Sequence, residues 1–111
     1  MFDYIVAQGA YPTPIGFLGF PKSVCVSINE CIVHGIPSMR PIYIGDKINL
    51  DVTAYLDGFH GDTNLTVIFG GLDKAPTPEV RNIVTLTQKA LYKALTVCKP
   101  GVKFNQVGKV L

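Results

Sequence analysis

The sequence predicts an α+β fold, on the strength of two patterns. Residues 48–69 alternate apolar and polar side chains on either side of an Asp57-Gly58 turn, as an antiparallel hairpin does. Residues 78–98 repeat apolar positions at helical spacing behind a Thr77-Pro78-Glu79 start. With 111 residues, 48% hydrophobic and 16% charged, the chain has the size of one small domain able to bury a core.

Each element follows from its residues. Ile48, Leu50, Val52, Ala54 and Leu56 face one way, and Asn49, Asp51, Thr53 and Tyr55 the other. Asp-Gly favours a two-residue type I′ turn, because both central positions take positive φ. Leu56 then pairs with Phe59, Tyr55 with His60, Thr53 with Asp62 and Asp51 with Asn64. Asp51 and Asp62 are therefore diagonal neighbours on one face, with Cα atoms about 7–8 Å apart. His60 shares that face.

Upstream, GAYPTPIGFLGFP is rich in Pro and Gly and has no sustained period, so it reads as an ordered loop. KSVCVSI reads as a half-buried strand, with Val24, Val26 and Ile28 on one face and Cys25 and Ser27 on the other. CIVHGIP reads as a short apolar strand giving way to loop at His34-Gly35. Thr77 is the expected N-cap of the helix, Pro78 its first turn, and Lys99-Pro100-Gly101 its end. The helix's apolar stripe, from Val80 to Cys98, is expected to pack on the sheet. Phe104, Val107 and Leu111 start another helical pattern. Both ends look cut, and a single partial domain spanning 1–111 is expected.

The formal charge of +2 and the scatter of ten basic residues argue against nucleic acid. Three cysteines without a CxxC pair suit a reducing compartment. No apolar run approaches the roughly 20 residues of a bilayer span, so no membrane role is expected.

Two ionised carboxylates converging on one face repel each other unless one is protonated or a cation sits between them. A pair of divalent ions about 3.5–4 Å apart would suit such a pair and would activate water. Pattern alone leaves open a solvated face carrying two exposed acids.

FPKSVCVSINECIVHGIP followed by GDKINLDVTAYLDGFHGDTNLTVIFG resembles type I methionine aminopeptidases. The resemblance implies part of a pita-bread fold and removal of the N-terminal methionine from nascent proteins, with the ribosome as the expected place of action. It implies two divalent ions (cobalt, manganese, iron or zinc), with Asp51 and Asp62 as two of five metal ligands. His34 would be catalytic and contact substrate; Phe17, Phe20 and Cys25 would line the pocket for the first side chain. His60 matches a family histidine that is not a ligand. The histidine and two glutamate ligands of the family have no counterpart here, so the isolated chain is expected to be inactive. A monomeric protein of the cytoplasm is implied, with mitochondrion or plastid as alternatives. The competing expectation is a non-catalytic relative that binds protein or RNA.

Overall fold

A computed structural model describes residues 1–111 as two compact units, residues 1–75 and 76–111. No helix is long and apolar enough to cross a membrane.

The first unit opens with helix α1 (Phe2–Ala7), which buries Ile5. Four antiparallel strands follow: β1 (Tyr11–Pro12), β2 (Cys25–Ile28), β3 (Lys47–Leu56) and β4 (Phe59–Ile68). Strand β3 is the axis of the sheet. It pairs along its whole length with β4, and on its other edge with β2 and then β1. The hairpin has the expected register, including Asp51 opposite Asn64 and Thr53 opposite Asp62. Its turn residues take positive φ, Asp57 at 50° and Gly58 at 90°, as a type I′ turn demands.

Strand β2 alternates in burial, as its pattern predicts. Ser27 and Cys25 are 2% and 9% exposed, whereas Val26 and Ile28 are only half-buried. Val24, at the start of the other face, is buried as well, and Gly35 of the β2–β3 loop lies against Ser27. A correction concerns residues 31–37, which form no strand; Ile32 and Val33 are exposed, and the segment is loop. The lead-in is largely loop, as its Pro and Gly content requires, with the short β1 and a 3₁₀ turn (Phe17–Gly19) set in it.

The β2–β3 loop, residues 29–46, is clasped at its base. Asn29 Nδ2 donates to Asp46 Oδ1 at 2.7 Å, and the Lys47 backbone N–H donates to Asn29 Oδ1 at 2.9 Å. Asp46, 8% exposed, also accepts from Arg40 Nη1 at 2.8 Å and from the Tyr43 backbone N–H at 2.9 Å. This clasp, led by the Arg40 guanidinium, holds the Asp46 carboxyl well below the usual carboxylate range.

The second unit contains α2 (Pro78–Leu95) and α3 (Val107–Val110). Thr77 caps α2 as expected, its hydroxyl accepting from the Val80 backbone N–H at 3.3 Å. The helix ends three residues before the expected Cys98, and residues 96–98 continue as a tightening turn. Of its stripe, Ala94 is buried, while Ile83, Leu91 and Leu95 are more than half exposed. Packing of this helix on the sheet remains an expectation, as does the single partial domain.

Candidate metal and substrate site

The site is built on β3. Because antiparallel partners share a face, the register places Cys25, Asp51, Asn64, Thr53, Asp62, Tyr55 and His60 on one side of the sheet. Cys25 lies directly opposite Asp51 on one edge, and Asp62 lies diagonal to Asp51 on the other.

The two acids interact. Partial burial pushes the Asp51 carboxyl above its ordinary value, and the neighbouring Asp62 carboxylate adds to the rise through charge and a hydrogen bond. An electrostatic interaction with His34 acts in the opposite direction, so His34 lies within electrostatic reach of Asp51. The Cys25 thiol is also pushed up, by burial first and then by the Asp51 and Asp62 charges. Cys25, His34, Asp51 and Asp62 are thus brought into one neighbourhood.

Phe17 is 66% exposed and Phe20 half-buried, on the loop that leads into β2. Their place in a pocket remains an expectation.

His34 sits on the loop rather than at a strand end, exposed and with φ of 55°. Its neighbour Gly35 is pressed against β2. The Val26 backbone N–H donates to the Gly35 carbonyl at 2.8 Å, and the Gly35 N–H donates to Ser27 Oγ at 3.1 Å. A Cβ on Gly35 would fall on the Val26 carbonyl oxygen and lie 2.9 Å from Ser27 Cα. Only a residue without a side chain fits there.

Hydrogen bonds and a ring contact among neighbouring side chains complete the face. Thr53 Oγ1 donates to Asp62 Oδ1 at 2.9 Å. Thr13 Oγ1 and His60 Nδ1 are hydrogen-bonded at 3.2 Å, and the His60 ring lies 4.9 Å from that of Tyr55. Asn29, Asp46 and Ser27 hold the loop that bears His34. Strand parity was the available signal for Thr53; the loop contacts join residues 8 to 18 positions apart and leave none.

Asp51 and Asp62 offer hard oxygen donors that converge, and the raised Asp51 carboxyl is what a cation would relieve. They fit as two members of a ligand set. No group of three or more His, Cys, Asp or Glu side chains is placed to hold a metal ion.

This chain is a member of metallopeptidase family M24, whose model matches residues 2–111. Within that family its similarity is to methionine aminopeptidases. It is 50% identical over 109 residues to methionine aminopeptidase 1D, chloroplastic/mitochondrial, of Arabidopsis thaliana, covering 98% of this chain and 30% of that protein. It is 40% identical over 107 residues to methionine aminopeptidase 1D, mitochondrial, of Homo sapiens, covering 96% and 31%. The crystal structure of methionine aminopeptidase from Rickettsia prowazekii superposes with a TM-score of 0.82 at 34% identity, covering 97% of this chain and 42% of that one. That from Thermotoga maritima gives 0.86 at 28% identity, covering 98% and 43%. The architecture is therefore part of the pita-bread fold of these enzymes. The chain spans about 30% of the length of the curated relatives.

Proposed function

We propose that this chain carries the first part of the catalytic site of a methionine aminopeptidase, which removes the N-terminal methionine from nascent polypeptides. The observation that carries the reading is the convergence of Asp51 and Asp62 on one face of β3–β4, beside His34, in a chain whose relatives bear that name. Two divalent cations, when bound, supply Lewis-acid polarisation of the scissile carbonyl and acidification of water. Asp51 and Asp62 are the side chains that hold them here, and Thr53 orients Asp62 by donating to its Oδ1. His34, exposed and held by its glycine neighbour, hydrogen-bonds the substrate next to the scissile amide. Cys25, with Phe17 and Phe20, forms an apolar, polarisable wall for the methionine thioether.

Cobalt, manganese, iron and zinc are the candidate cations. Several relatives are chloroplastic or mitochondrial methionine aminopeptidases, which favours mitochondrion or plastid over the cytoplasm for this chain. Ribosome-proximal action and a monomeric state complete the proposal.

Two carboxylates do not hold two ions tightly, so the 111-residue chain alone is inactive in this reading. Incubating it with a methionine-initiated tripeptide and added cobalt or manganese tests this. No methionine release is expected; robust turnover would show that further ligands are unnecessary.

A further inference from the structure

We propose that Ser27 is a positioning residue for His34: its buried hydroxyl captures the Gly35 N–H and so holds the preceding imidazole over the face that bears Asp51. The inference rests on the aminopeptidase reading only for what His34 then does; the tie of the loop to β2 stands on geometry, and the nearness of His34 to Asp51 on their electrostatic interaction.

The β2–β3 loop is long; apart from the Cys31 N–H bond to the Ile28 carbonyl at its start and a weak local Cys31 Sγ–Val33 carbonyl contact, it is tied at its base. Its base is closed by Asn29 and Asp46, five and twelve residues away in sequence. Between those points, Ile32, Val33, His34 and Ile36 are exposed and bury nothing that would fix them. What fixes the middle of the loop is Gly35, through two hydrogen bonds to β2. One is a backbone bond, Val26 N–H to the Gly35 carbonyl at 2.8 Å. The other replaces a backbone acceptor with a side chain, Gly35 N–H to Ser27 Oγ at 3.1 Å.

Ser27 is suited to this work. It is 2% exposed, sits opposite Asn49 on β3, and lies two residues along the same face from Cys25. Its hydroxyl is therefore fixed to the rigid sheet that also fixes Asp51, so one bond sets the loop relative to the acids. The close approach of Gly35 to Val26 and Ser27 leaves no room for sliding. His34 adopts a left-handed backbone at φ 55°, unusual for a residue with a Cβ, and the bond at Gly35 helps maintain it.

The test uses the 111-residue chain, whose two histidines each give one set of imidazole carbon–proton correlations in an NMR spectrum. Ser27→Cys keeps the side-chain shape at a somewhat larger volume and replaces a good acceptor with a weak one. Two readouts are followed at one fixed pH. The first is hydrogen exchange at the Gly35 amide, expected to quicken about five- to tenfold, the loss of one typical hydrogen bond, while the Ile48 amide keeps its rate. The second is the displacement of the His34 imidazole signals on Asp51→Asn. That displacement is expected to fall at least about twofold in the Ser27→Cys background, with His60 showing the same displacement in both backgrounds.

Unchanged Gly35 exchange, an unchanged His34 displacement, or no displacement with Ser27 intact would each overturn the proposal. If Ser27→Cys does not fold, Ser27→Ala carries the same comparison; failure of both to fold would overturn it too, making Ser27 a structural residue. Neither readout requires turnover, so their failure would leave the aminopeptidase reading intact, and failure of that reading would leave them intact.

Discussion

Replacing Gly35 with alanine puts the account of the His34 loop under direct stress. The added methyl would fall on the Val26 carbonyl oxygen and within 2.8 Å of the Val26 carbonyl carbon. Both obstacles are backbone of β2, which is tied to β3 through residues 25–28, so the neighbour cannot yield as a flexible side chain would. The loop must lift away instead. Lifting breaks the Val26–Gly35 bond and the Gly35–Ser27 bond, each worth about 1 kcal/mol, and leaves the partly buried Ser27 and Val26 groups short of partners at a further ~1–2 kcal/mol. The expected destabilisation is about 3–4 kcal/mol, or roughly 12–16 °C in Tm for a chain of this size. Gly61→Ala is the control, since nothing lies within 4 Å of a Cβ there and its φ is not in the left-handed region. Urea and thermal unfolding of the two variants decide the matter. A cost below about 1 kcal/mol for Gly35→Ala, or equal costs at both positions, would refute the packed-loop geometry.

Three other perturbations have defined outcomes. Asp51→Asn should stabilise the metal-free chain at neutral pH by about 1–2 kcal/mol in urea unfolding, between the ~1 and ~4 kcal/mol of a close carboxylate pair in water and near a protein surface; destabilisation would mean the acids do not repel. Because the folded Asp46 carboxyl lies below its unfolded value, its contribution is present above the ordinary carboxylate pKa of about 3.9 and is lost as pH falls through and below it. Stability measured from pH 6 to pH 2.5 should therefore fall less steeply in Asp46→Asn than in the parent chain. At the hairpin turn, Gly58→Ala forces a Cβ into φ 90° and should cost about 1–2 kcal/mol, while Asp57→Asn should stay within about 0.5 kcal/mol in the same unfolding assay.

The hairpin was legible residue by residue, because a two-residue Asp-Gly turn leaves one register and strand parity then fixes which side chains share a face. The convergence of Asp51 and Asp62 followed from that register. The start of α2 was equally local, written in Thr77 and Pro78. By contrast, alternation identified the two faces of β2 but not which is covered, and Ser27 on one of them is held by Gly35 returning from a loop. Residues 31–37 mimic a strand in composition, yet Gly35 takes its hydrogen bonds from one edge of β2 and never forms a ladder. The clasp of Asn29, Arg40 and Asp46 depends on chain closure over 17 residues and has no local signature. Helix α1 is only six residues long, with no side-chain cap to announce it.

The central claim is that Asp51 and Asp62 are metal ligands of a methionine aminopeptidase site. Its most direct test places these 111 residues in the corresponding segment of the Arabidopsis thaliana relative, which shares 50% identity, and measures methionine release from a tripeptide with added divalent metal. The hybrid enzyme is predicted to turn over, and Asp51→Asn or Asp62→Asn to lower kcat/KM at least about 100-fold, beyond the 10–100-fold typical of groups that only support a ligand. An active hybrid that keeps its rate with either aspartate replaced would contradict the claim.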